Sequence, residues 1–155
     1  MQQVTTNTDV QIVPFHWTHP FAMDMREFER GYFEDIPNYS EWLKIYQQAG
    51  HCHTALHRGR IACCFGVNVF WPGAAEAWLL TSYLCERYPI SLTRGAMRYF
   101  NQIAIDLRLH RLQLVVDDRN VLALRWAKAL KFEYEGVLRK YGPSGADNVM
   151  FSRIF

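Results

Sequence analysis

No stretch of this 155-residue chain approaches the roughly 20 consecutive apolar residues that a bilayer-crossing helix needs. The polar opening MQQVTTNTD lacks the charged and apolar regions of a signal peptide, so the protein is expected to stay in the cytosol. Linkers rich in Pro, Ser or Gly, internal repeats and low-complexity tracts are missing as well. One domain over residues 1–155 is therefore expected, and a chain that is 50% apolar and 15% aromatic can fill its core. A strong charge of either sign is also lacking. Seventeen Lys and Arg stand against fifteen Asp and Glu, a net +2 with the basic residues scattered, which points away from nucleic acid.

The four cysteines, Cys52, Cys63, Cys64 and Cys85, have no framework spacing, and reduced buried thiols are the expected state. His51, His53 and His57 lie close to Cys52 and Cys63, which raises the question of zinc. Strand alternation would put His51 and His53 on one face and Cys52 on the other, splitting the ligands. With no CxxC and no HExxH, no metal site is expected.

The elements are read from periodicity and punctuation. Asp9 to Phe15 alternates Val10 and Ile12 against polar neighbours and predicts a first strand ending near Pro14. Phe21, Met25, Phe28 and Tyr32 share one helical face, with Pro20 suited to the start. A second helix is predicted from Tyr39 to Ala49, capped by Asn38 with Glu41 three residues on and stopped by Gly50. Strands at His51 to His57, Arg60 to Phe70 and Glu76 to Thr81 follow, divided by Arg58-Gly59 and Trp71-Pro72-Gly73, and read as an antiparallel meander. Ser91 to Leu107 carries the clearest helical stripe, Leu92, Ala96, Tyr99, Phe100, Ile103 and Leu107. Arg111 to Asp118 (RLQLVVDD) then reads as a buried strand, Asn120 as the cap of a helix presenting Ala123, Trp126, Ala127 and Leu130, and Gly142-Pro143-Ser144-Gly145 as the turn of a closing hairpin.

Within that last third, Asn120, Arg125, Leu130-Lys131-Phe132 and Glu135-Gly136 fall in an order and spacing that resemble the end of the Gcn5-related N-acetyltransferases (GNAT), especially the ribosomal-protein type. Only Lys131 departs, standing where the family usually has Gly. The resemblance implies an α/β GNAT fold, a mixed and mostly antiparallel sheet of about seven strands flanked by about four helices. It also implies acetyl coenzyme A as cofactor and a primary amine, of a protein N-terminus, a lysine or a small molecule, as the acceptor. It leaves room for a homodimer and gives no role to nucleic acid, membrane or metal.

The site residues implied by the resemblance are these. The cofactor's diphosphate would lie at the start of the helix after the fourth strand, where the family pattern falls on Tyr88, Ser91 and Thr93, without its glycines; Ser91 is read as the helix cap, with Arg87 and Arg94 bracketing the anion. The alternative is a plain capped helix with two solvated arginines. The strand Glu76 to Ser82 would line the pantetheine arm through Leu79, Leu80 and Ser82, a backbone N–H near Leu79 or Leu80 polarising the carbonyl. Asn120 and Arg125 would contact the arm and the phosphate region. Glu76 is the candidate base, with His16, His19 and His53 further candidates. The tyrosine that often serves as general acid is Ala127 here, leaving Tyr141 or Tyr134 to serve from the closing hairpin. A narrower resemblance, in EAWLLTS (Glu76 to Ser82), is to short acetyltransferase-like proteins of tailed bacteriophages, some of them associated with virion assembly. It supplies a rival in which the fold is a catalytically silent scaffold, in the cytosol of the host cell if the gene is a phage's.

Overall fold

A computed structural model describes residues 9–155, so residues 1–8, which make up most of the polar opening read above, lie outside the described residues. Seven strands form one sheet: β1 (Val10–Pro14), β2 (Cys52–His57), β3 (Arg60–Trp71), β4 (Ala74–Thr81), β5 (Arg111–Asp117), β6 (Glu133–Leu138) and β7 (Asn148–Ile154). Their order across the sheet is β1-β2-β3-β4-β5-β7-β6. Every pairing is antiparallel except β4 with β5. Five helices surround it, α1 (Glu27–Asp35), α2 (Tyr39–Ala49), α3 (Tyr83–Arg87), α4 (Pro89–Asp106) and α5 (Val121–Ala129). None is long and apolar enough to cross a membrane.

Alternation along β4 divides the core. Ala75 and Ala77 face Phe100, Ile103 and Ala104 of α4 and Ala127 and Leu130 beyond it. Trp78 and Leu80 face the other way, onto Leu43 of α2, Phe15, Met23 and the thiol-bearing Cys52 and Cys64. All four cysteines are free and buried.

Four expectations change. The face from Phe21 to Tyr32 is not one helix: a 3₁₀ turn (His19–Ala22) precedes α1, and the chain between them runs extended so that Met25 bridges Ser82 at the end of β4. Asn38 makes no side-chain cap because it adopts a left-handed conformation, φ 55°, at the tight turn between α1 and α2. Gly50 does stop α2 in that conformation, at φ 83°. The helix after β4 starts two residues early, because Pro89 is preset for the first helical position; Ser91 is therefore inside α4 and not its cap. A short helix that the sequence reading did not place, α3, fills the space just before it, and the sheet of seven strands with its flanking helices is as expected.

Candidate active site

Pairing between β4 and β5 lasts only three rungs, Ala74 with Arg111, Ala75 with Leu112 and Glu76 with Gln113, after which the strands part. The apex is pinned from below: the N–H groups of His110 and Arg111 both donate to the Gly73 carbonyl. Gly73 has φ 95°, and a Cβ there would lie 2.2 Å from His110, so the turn needs glycine on both counts. Above the apex a cleft of about 810 Å³ opens between α1 on one side and α4 and α5 on the other.

Glu76 belongs to the last of these rungs and, like Tyr46, is not one of the residues that line the cleft. Gln113 Nε2 donates to Glu76 Oε2 at 3.2 Å, and burial pushes the carboxyl above its ordinary value while this hydrogen bond pulls the other way. The phenols of Tyr46 and Tyr141 are near enough to feel its charge, each raised first by burial and then by Glu76. Tyr32 of α1 lines the cleft and is raised by burial first and by Asp117 and Glu29 after it.

The β3 ladder decides which amides of β4 face the opening. Ser82 N–H donates to the Ala62 carbonyl, and the register pairs Cys64 with Leu80 and Phe65 with Leu79. Alternation then turns the Leu80 amide toward β3 and the Leu79 amide toward the space β5 has left. Leu79 lines the cleft, whereas Leu80 is buried against the α2 side.

The remaining residues singled out in the sequence are spread wider. Ser82 is buried and caps α3, accepting from Leu84 N–H at 3.2 Å. The other amides of that loop are engaged too: Tyr83 donates to Asp24 and Cys85 to Ser82. Thr93 Oγ1 donates to the Pro89 carbonyl and accepts from Trp126 Nε1 at 3.1 Å, tying α4 to α5. At the start of α4, Pro89 has no N–H and Leu92 donates to Tyr88, so Ile90 and Ser91 are the amides without a helical acceptor. Ile90 points to solvent, and Arg87 and Arg94 are exposed nearby on the chain. Asn120 caps α5, its Oδ1 accepting from Ala123 N–H at 3.2 Å, and lines the cleft. Arg125 is exposed and Tyr141 is 57% exposed; neither lines the cleft, nor do Tyr134, His16, His19 or His53. Ala127 is buried in the core and touches the cleft wall.

Sequence reasoning missed Gln113, Tyr46, Tyr32 and Glu29 as site residues. Gln113 was legible as the one uncharged polar residue of β5, set among Leu and Val between the charged ends Arg111 and Asp117; the others required knowing how α1 and α2 lie over the sheet.

Tested against an acyl-pantetheine thioester, the site fits at the arm and not at the loop. The parted strands and the Leu79 amide suit a narrow chain ending in a carbonyl. The loop directly after β4 offers no free amide from Ser82 to Cys85, because a capped helix replaces a glycine-rich turn there. An anion would be left with Ile90, Ser91 and the two arginines further on.

No protein-family model matches the sequence, and no curated protein matches it. Solved structures do. Ard1 from Thermoplasma volcanium superposes with a TM-score of 0.74 at 13% identity, over 94% of this chain and 97% of that one. The ribosomal-protein-S5-alanine acetyltransferase from Vibrio fischeri gives 0.68 at 15% over 94% and 93%. The protein yncA from Salmonella typhimurium, solved with its cofactor acetyl-CoA, gives 0.68 at 12% over 94% of each. At these identities the likeness establishes architecture rather than chemistry, and it agrees with the parted strands and the strand order: the chain has the fold of the Gcn5-related N-acetyltransferases.

Proposed function

We propose that the protein transfers an acetyl group from acetyl coenzyme A to a primary amine. The observation that carries this is the point where β4 and β5 part: the half-buried Glu76 carboxyl, pushed above its ordinary value by burial, sits in the last shared rung, three residues along β4 from an amide aimed into the opening. Such a carboxylate is a better proton acceptor near neutral pH than an ordinary glutamate, which is what a general base requires. An amide fixed in a sheet can donate to a carbonyl oxygen as charge develops on it, with no reorganisation cost.

Acetyl coenzyme A, when bound, supplies a thioester whose C–S bond breaks as the C–N bond to the amine forms. Glu76 takes the proton of the incoming ammonium, with Gln113 fixing the carboxylate's orientation. The Leu79 N–H would donate to the acyl oxygen of a bound thioester. Tyr32, whose phenol lines the cleft, is better placed than Tyr141 to return a proton to the departing sulfur. Asn120, on the cleft wall, would border the arm of a bound cofactor, and only the amides of Ile90 and Ser91 with Arg87 and Arg94, outside the cleft lining, would be left to meet its diphosphate.

A second reading has its own observation. The four engaged amides from Ser82 to Cys85 are what a fold that no longer grips a diphosphate would show, and they favour a silent scaffold. Calorimetric titration with acetyl coenzyme A separates the two. Micromolar binding, weakened about tenfold or more in an Arg87→Glu/Arg94→Glu variant, supports the transferase, since each tenfold is about 1.4 kcal/mol. No binding at millimolar cofactor supports the scaffold.

A further inference from the structure

Glu76 is the last link of a hydrogen-bonded chain that crosses four neighbouring strands of the sheet. Ser152 of β7 donates its hydroxyl to Glu135 Oε1 of β6, and Arg111 at the start of β5 makes a two-pronged pair with the same carboxylate, Nη1 to Oε1 at 2.8 Å and Nη2 to Oε2 at 2.6 Å. Arg111 Nε donates to Gln113 Oε1 at 3.0 Å. Gln113 Nε2 then reaches Glu76 Oε2 at 3.2 Å. Alternation places Arg111 and Gln113 on one face of β5, and the register sets Gln113 between Glu76 of β4 and Ser152 of β7.

Glu135 reaches Arg111 across β7 because its own strand is irregular there. Tyr134 pairs with Phe151 and Gly136 with Met150, which leaves Glu135 as the extra residue of a bulge. Bulges re-aim a side chain, and this one is aimed at β5. Arg111 in turn settles what Gln113 cannot settle alone. A primary amide has a donating end and an accepting end of nearly the same shape, and only the donating end suits a carboxylate. Because a guanidinium donates and never accepts, it takes the carbonyl end of Gln113 and leaves the NH2 end for Glu76. Turning the amide over would set donor against donor at Arg111 and acceptor against acceptor at Glu76.

We propose that Arg111 is a positioning residue for the base: it turns Gln113 so that the NH2 group meets Glu76 Oε2, and Glu135 and Ser152 hold Arg111 in that pose. The assignment rests on the transferase reading for what Glu76 does with a proton; the orientation of Gln113 stands without it. With Oε2 engaged, Oε1 is the oxygen left to accept from an incoming ammonium. Among the described residues, the titratable groups around Glu76 are two phenols, Tyr46 from α2 and Tyr141 from the segment after β6, with the Arg111–Glu135 pair behind Gln113. Asn68, its register partner on β3, does not titrate. The two members of the pair cancel in charge, so the chain acts on Glu76 through hydrogen bonds rather than through a net field.

The test is Arg111→Lys, which puts a methylene where Nε donates to Gln113 while the ammonium keeps the charge and the pairing with Glu135. Glu76 is followed by carboxyl-carbon NMR in the full chain with neither cofactor nor amine present, so this readout does not depend on turnover. In Arg111→Lys, Glu76 should titrate at higher pH than in the parent, because Gln113 no longer keeps its donor there; in a Gln113→Leu background the same substitution should change nothing. Acetyl transfer by Arg111→Lys should fall about tenfold on the acid limb of the pH–rate profile and under about threefold on its plateau. Should Arg111→Lys fail to fold, the Gln113 side-chain NH2 signals of the parent should still move with the titration of Glu76. The titration shift without any transfer by the parent supports this inference and removes the transferase reading. Transfer by the parent with a profile that Arg111→Lys leaves unchanged does the reverse. An equal shift with and without Gln113, or Gln113 NH2 signals that ignore Glu76, overturns it.

Discussion

Glu76 is half-buried, accepts from Gln113, and among the described residues meets no cation in an ion pair. Glu76→Gln keeps the size and the contact with Gln113 but removes the proton acceptor, so acetyl transfer near neutral pH should fall roughly 100-fold or more, the usual worth of a general base. The acid limb of the parent's pH–rate profile should lie above the ordinary glutamate value, 4.5, because burial raises this carboxyl. The same shift has a thermal consequence. With the folded-state pKa above the unfolded one, the folded protein holds its proton longer, so stability falls as pH rises from the ordinary value through the raised one. The glutamine variant lacks that fall and should melt higher than the parent at pH 7, with the gap closing below pH 4. Melting curves at both pH values check the sign. Glu135 shows the opposite pattern: Arg111 and Ser152 bond its carboxylate and hold its pKa at about 2, so it stays charged throughout this range.

Among the elements, the residues that carried the family likeness serve as structural punctuation. Asn120 caps α5, Glu135 ties β6 to Arg111 of β5 and Ser152 of β7, and Gly136 lies at an irregularity in the β6–β7 register. Lys131, where the family usually has Gly, has φ 66° just after α5. A left-handed lysine costs roughly 1–2 kcal/mol and glycine in the unfolded chain returns part of that, so Lys131→Gly should stabilise by about 1 kcal/mol in a urea melt. Asn120→Ala should cost about 1 kcal/mol and Asn120→Ser almost nothing; a loss of cofactor affinity in the serine variant would give Asn120 a binding role beyond its cap. Element order was therefore legible from local signals: helical stripes, Gly50, the Arg58-Gly59 turn and the closing Gly-Pro-Ser-Gly turn. What stayed illegible was set by long-range pairing. The extended run at Met25 exists because Ser82 accepts it as a neighbour, and the apparent helical face from Phe21 to Tyr32 gave no sign of that. The missing glycines after β4 were visible in the sequence, but their meaning was not. Ser91 and Thr93, at the positions of those glycines, lie inside α4, and the capped α3 before it consumes the amides from Ser82 to Cys85.

Across the whole molecule, β5 is held by β4 on one flank for three rungs and by β7 on the other for seven. The wall of the cleft opposite β4 thus depends on residues 148–154, which are made after β5 and β6 and must slip between them. Until they do, β5 and β6 have no common neighbour, since nothing pairs them directly. Closing this half of the sheet joins Leu112 to Arg153, a loop whose entropy must be met before any contact repays it. Nascent chains halted before residue 148 should therefore bind no ligand in the cleft and expose Phe151's buried partners to protease, whereas β1 to β3 should already be protected. Pulse proteolysis of arrested chains of increasing length would show protection of β5 and β6 appearing together in one step, and gradual protection of β5 alone would contradict it. Birth of the site waits on the insertion of β7, and a slow pairing there would keep the protein inert after β5 and β6 have already been made.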